Sequence, residues 1–133
     1  IMALGKIKAD TLEHSTAGSL DTSYVVNGSA KVFASYNLKD NTGYAASLNN
    51  SSFTDVATGK SRFTFSSSLS AISYNVNANG RFEINNDDPA QSQFCQPTQL
   101  ATGSVQVGTE DNASAGSAED SRYHTIAIHG DLA

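Results

Sequence analysis

Three histidines, His14, His124 and His129, are the side chains of this sequence whose ordinary pKa suits proton transfer near neutral pH. They are also the natural first choice for a metal site. Two ligands on one strand need even spacing, because successive side chains point to opposite faces. His124 and His129 are five apart and face opposite ways, so one strand cannot offer both to an ion. A threefold axis could gather three copies of one histidine, but hydrogen bonding at a surface or interface is the plainer expectation. Asn85-Asn86-Asp87-Asp88 carries the oxygen ligands that calcium takes. Their spacing fits no calcium loop and Pro89 follows at once, so a solvated turn is expected there.

Nucleophilic and acid–base chemistry find little support. No serine sits in a Gly-x-Ser-x-Gly elbow. A glycosidase pair would have to be picked arbitrarily from Asp55, Glu83, Asp87, Asp88, Glu110, Asp111, Glu119 and Asp120. Cys95, the one cysteine, excludes an intrachain disulfide and any multi-cysteine metal site, and beside Phe94 it reads as a small buried hydrophobe. Asn27, Asn49, Asn50 and Asn112 open Asn-x-Ser sequons, which chance supplies in a chain this rich in both residues. Tyr24, Tyr36, Tyr44, Tyr74 and Tyr123 could each stack on a sugar ring. Tyr36 and Tyr74 are expected in the core, while Tyr44, in a Gly-flanked loop, is the better exposed candidate. The expectation is therefore no catalytic residue, no cofactor and no metal, with Tyr44, Asp87, Asp88 and Tyr123 as the candidate ligand-facing side chains.

Composition bounds what must position them. The 133 residues are one domain's worth, with 38% hydrophobic and only 16% charged side chains. Ser, Thr, Asn and Gly fill the difference, which suits the exposed faces of strands and tight turns. A net charge of -5, with Lys and Arg scattered singly, argues against a nucleic-acid partner. No apolar run reaches the length of a membrane span, and no hydrophobic signal segment is present. Met2 reads as an initiator and Ile1 as a leftover residue before it. So thin an apolar share makes a monomer of this length marginal, and oligomerisation is the expected remedy.

Along the chain the period is that of strands. Residues 1–20 read as an arm packing on something else, and 21–133 as the folded domain. Tyr24-Val25-Val26 reads as a strand leading to an Asn27-Gly28 hairpin turn. Ala30, Val32, Ala34 and Tyr36 share one strand face, and Lys31, Phe33 and Ser35 the other. A loop at Leu38–Gly43 and a turn at Thr58-Gly59 follow, then Phe63 and Phe65 on one face. Ile72, Tyr74 and Val76 are expected to lead into an Asn79-Gly80 turn, with Phe82 and Ile84 returning. Residues 85–103, with Pro89 and Pro97, read as a long connection. Ser104–Gly108 is a short strand, Thr109–Ser121 an acidic loop, and Arg122–Gly130 the last strand. The alternation of Ile126 and Ile128 says that this strand is docked. Seven to nine short strands at such spacing predict an all-β fold, an antiparallel β-sandwich of jelly-roll-like form. No stretch holds a helical period.

Several segments, taken in order, carry a resemblance. They are Ala30-Lys31-Val32-Phe33, Ser47-Leu48-Asn49-Asn50-Ser51-Ser52, Thr54-Asp55 before Thr58-Gly59, then Phe65, Leu69 and Tyr74, and a closing Gly130-Asp131. Together the chain resembles small bacteriophage virion proteins, the tail-fibre or fibre-like β-domains of marine and cyanobacterial phages. The match spans about residues 28–76 and the last ten. The aromatic usual after the turn is displaced, and residues 85–122 match nothing in the pattern. The resemblance implies a non-enzymatic structural or attachment protein of the virion, a homotrimer whose arm docks on other virion proteins and whose body meets a host-surface glycan. A strand near the end of the chain would then be ordered by a neighbouring subunit. A capsid or tail decoration or adaptor protein is the alternative on the same fold, and a free carbohydrate-binding module is a third.

Overall fold

The computed structural model describes residues 9–16, 18–40, 42–43, 47–81, 92–111, 117–118 and 120–133. Their elements run β1 (Thr11–His14), β2 (Gly18–Asp21), α1 (Thr22–Gly28), β3 (Val32–Tyr36), β4 (Ser47–Leu48), β5 (Asn50–Ala57), β6 (Lys60–Phe65), β7 (Asn75–Arg81), β8 (Ser92–Ala101), β9 (Ser104–Asp111), β10 (Ser117–Ala118) and β11 (Tyr123–His129). β1 and β2 form a separate two-stranded sheet. The rest follow the order β4-β3-β11-β7-β8-β9-β6-β5, with β10 on β9, and every pairing is antiparallel.

This order divides into two four-stranded halves that face each other. Among the described residues, β7 and β8 pair through Gly80↔Gln93 and Arg81↔Ser92. At the other margin β4 passes into β5 through Asn49 alone. Asn49 takes φ 52°, a left-handed turn that Asn tolerates better than most side chains. Its amide oxygen accepts the Ser67 N–H at 2.6 Å, and its amide nitrogen donates to the Ser67 carbonyl at 3.0 Å. Tyr36 of β3 stacks on Phe53 of β5, and Phe53 meets Phe63 of β6 edge-on, so side chains of both halves fill one interior. The result is the expected antiparallel sandwich.

Period-two alternation builds that interior. Val32, Ala34 and Tyr36 are buried while Phe33 between them is 40% exposed. Phe63 and Phe65, Val105 and Val107, and Ile126 and Ile128 fill it from β6, β9 and β11. Fully burying each such side chain is worth roughly 1.5–3 kcal/mol. The Thr58-Gly59 turn takes positive φ at Gly59, as expected. β11 lies in the middle of its half, paired with β3 on one side and β7 on the other. The backbone bonds of the last strand are therefore satisfied within the chain, rather than by a neighbouring subunit. Beyond it, the Ser70 N–H donates to the Asp131 carbonyl at 2.8 Å and the Ala133 N–H to the Ser68 carbonyl at 3.0 Å.

Several local expectations are corrected. Tyr24-Val25-Val26 is helical, not a strand, and Asn27-Gly28 closes α1 rather than turning a hairpin. Asp21 caps this helix by accepting the Ser23 N–H at 2.7 Å, and a cap outweighs the β preference of two valines in so short a segment. Asn79-Gly80 is no turn: β7 runs through it, held by Thr125 and His124 of β11. Ile72 is 58% exposed while Tyr74 is buried, so the two do not share a face. Within the supposed long connection, residues 92–101 form β8, and Pro97 sits at a register shift where its missing N–H breaks no regular ladder. Thr109–Asp111 extend β9, and Ser117–Ala118 pair with it as β10. Phe82 and Ile84 lie outside the described residues.

Candidate functional site

The expected ligand-facing side chains are not brought together by anything described. Tyr44, Asp87 and Asp88 lie outside the described residues, as does the whole Asn85–Asp88 segment. Tyr123 opens β11, opposite Arg81 of β7. Among the described residues no group of three or more His, Cys, Asp or Glu side chains could share an ion. Cys95 packs partly buried against the core, and burial pushes its thiol up to about 12, so it stays protonated at neutral pH.

The most organised polar chemistry is inside the sandwich. Ser61 of β6, Thr109 of β9 and His124 of β11 are at most 1% exposed. The Ser61 hydroxyl lies 2.7 Å from His124 Nδ1, and His124 Nε2 lies 3.0 Å from the Thr109 hydroxyl. Thr109 donates its own hydroxyl to the Gly59 carbonyl at 3.3 Å, so its oxygen accepts from Nε2–H and the Ser61 hydroxyl donates to Nδ1. Burial lowers the His124 pKa to about 4, against a smaller upward pull from Asp120, and keeps the ring neutral. The chain of bonds then reaches the rim, where the Gly59 N–H donates to Asp120 Oδ1 at 2.7 Å.

A serine hydroxyl donating to an imidazole is the first half of a nucleophile–base pair. Here both side chains are fully buried between the two halves, out of reach of a substrate in solution. The three side chains instead tie β11 in one half to β6 and β9 in the other. Sequence reasoning placed histidine hydrogen bonding at a surface or interface and missed this network. The available signal was parity, since His124 shares its face with Ile126 and Ile128, Ser61 with Phe63 and Phe65, and Thr109 with Val105 and Val107.

Two surface features remain. A cleft of about 390 Å³ opens between the end of α1, the segment before β7 and the segment after β11. Asn27, Ser70, Ser73 and Asp131 line it with polar groups, and Tyr74, Ala71, His129 and Gly130 complete the wall. The Tyr74 hydroxyl is 3.0 Å from the carbonyls of both Ala101 and Ser104, which anchors the ring. Gly130 crosses so close to it that a Cβ there would lie 2.8 Å from Tyr74 Cβ. His129 Nδ1 lies 3.0 Å from the Gly28 carbonyl and donates to it, which leaves Nε2 as an acceptor. No local motif announces this cleft, because three distant stretches supply it.

The second feature is the N-terminal unit. Leu12 and Leu20, directly opposite each other in the β1–β2 hairpin, are 49% and 47% exposed, and Tyr24, Val25 and Val26 on α1 are exposed as well. An isolated two-stranded hairpin is marginal in water, and this one leaves its leucine pair half uncovered. Comparison of the chain with protein-family models, curated proteins and solved structures returned no match.

Proposed function

We propose that this chain is a non-enzymatic structural protein of a bacteriophage virion, a tail-fibre or fibre-like subunit that assembles as a homotrimer and contributes to host-surface attachment. The observation that carries the reading is the apolar surface of Leu12, Leu20, Tyr24, Val25 and Val26, set on a hairpin and a short helix ahead of a well-filled sandwich. A body with its own core does not need this surface, whereas an arm that docks on other virion proteins or on sister subunits does. The order of the Ala30–Phe33, Ser47–Ser52, Thr54–Gly59 and Gly130-Asp131 segments supports the phage assignment. The serine–histidine contact of Ser61 with His124 is buried, which favours a passive scaffold over a hydrolase.

Sedimentation velocity on the purified chain tests the assembly directly. A stable species at three times the chain mass is expected, and a monomer at micromolar concentration would sink the reading. Competition separates attachment from decoration. An attachment protein added in excess binds host cells and blocks infection, whereas a decoration protein binds tail-less particles and leaves infection unchanged.

A further inference from the structure

We propose that the cleft between Asn27, residues 70–74 and residues 129–131 binds a neutral saccharide. The proposal rests on the attachment reading for the source of the sugar, while the site itself rests on geometry. At about 390 Å³ the cleft falls near the lower end of small-molecule sites, roughly 300–1,000 Å³, which suits a mono- or disaccharide.

The lining decides the ligand class. A pyranose ring presents hydroxyls that both donate and accept, and apolar C–H faces between them. Asp131 offers a carboxylate that accepts from such hydroxyls; Asn27, Ser70 and Ser73 offer groups that do both; His129 Nε2 offers a further acceptor. Among the described residues lining the cleft there is no Lys or Arg, so phosphate and other anions find no countercharge. Among the described residues, His129 and Asp131 have no third ligand of the kind that would hold a transition metal. Ala71 and the buried Tyr74 supply the apolar part of the wall.

The wall is also fixed before any ligand arrives. The bonds of the Tyr74 hydroxyl, the close passage of Gly130 and the Ser70 N–H bond to the Asp131 carbonyl hold residues 70–74 and 129–131 in one arrangement, and the His129 bond to the Gly28 carbonyl ties the end of α1 to them. Little ordering is left to oppose binding.

The test is a titration of the full-length ¹⁵N-labelled chain with methyl glycosides of glucose, mannose and galactose and with N-acetylglucosamine, followed by amide chemical shifts. At least one is expected to give saturable shifts confined to Asn27, the stretch from Ser70 to Tyr74, and the stretch from His129 to Asp131. Asp131→Ala, on an exposed side chain, should weaken that binding about tenfold, and Ser73→Ala less, with the remaining spectrum unchanged. No saturable shift with any of the four, or undiminished binding by Asp131→Ala, overturns the proposal, as does an equal response to inorganic phosphate. A trimer that binds no glycoside fails the cleft alone. A monomer that binds one fails the virion reading and leaves the cleft standing.

Discussion

At the scale of single residues, His124 is the side chain whose titration reaches furthest. Its pKa falls from an ordinary 6.5 in the unfolded chain to about 4 in the fold, so between those values the unfolded state binds the extra proton. The stability associated with a neutral imidazole is thus complete above about pH 6.5 and is lost as pH falls toward 4. A shift of that size is worth about 3 kcal/mol. Urea unfolding at pH 7.5 and pH 4.5 is expected to show a loss of this order in the native chain. His124→Leu removes this titration, so its decline over the same interval should be smaller by that amount. An equal decline in both would assign the pH dependence to the carboxylates. Ser61 and Thr109 explain why a buried histidine is tolerated at all, since each ring nitrogen has a partner.

At the scale of elements, the crossing from β4 to β5 concentrates the most information in one position. Asn49 supplies a left-handed backbone and two side-chain bonds to Ser67, and so fixes how one half of the sandwich lies over the other. Asn49→Ala gives up both bonds, at about 1 kcal/mol each, and adds about 1 kcal/mol of backbone strain. The expected loss of about 3 kcal/mol would be read from the urea midpoint, with Asn49→Gly recovering the backbone part only. α1 stands at the opposite extreme. It is seven residues long with no buried side chain, and is held by its Asp21 cap and by Lys31, which donates to the Val26 carbonyl at the helix end. Such a helix contributes little to folding and mainly sets the position of Tyr24, Val25 and Val26.

At the scale of the whole molecule, the sandwich and the N-terminal unit make separate demands. The sandwich closes its own interior, and its last strand is paired on both sides. The hairpin and helix leave their apolar side chains to water or to a partner. If the proposed trimer forms through this surface, Leu12→Ser, Leu20→Ser and Val26→Ser together turn it into monomers while moving the melting temperature by only a few degrees, because no core contact is touched. Sedimentation and thermal unfolding on the same sample check both halves of that statement. A trimer that survives the three changes would place the subunit contact elsewhere on the surface.

The all-β class and most of the core were readable in the sequence, because alternation is a local property. Val32, Ala34 and Tyr36, then Phe63 and Phe65, then Ile126 and Ile128 declare a buried face over a few residues, and Thr58-Gly59 declares its turn. Segments whose state depends on a distant partner were not readable. Asn79-Gly80 becomes mid-strand only because β11 lies beside it. Residues 92–101 become a strand only because β9 pairs with them. Tyr24-Val25-Val26 coils because Asp21 caps it and no sheet edge claims it. The same reason governs the two polar sites. Ser61, Thr109 and His124, and likewise Asn27, Ser73 and Asp131, are far apart along the chain. Their meeting depends on long-range packing, which tertiary structure alone decides.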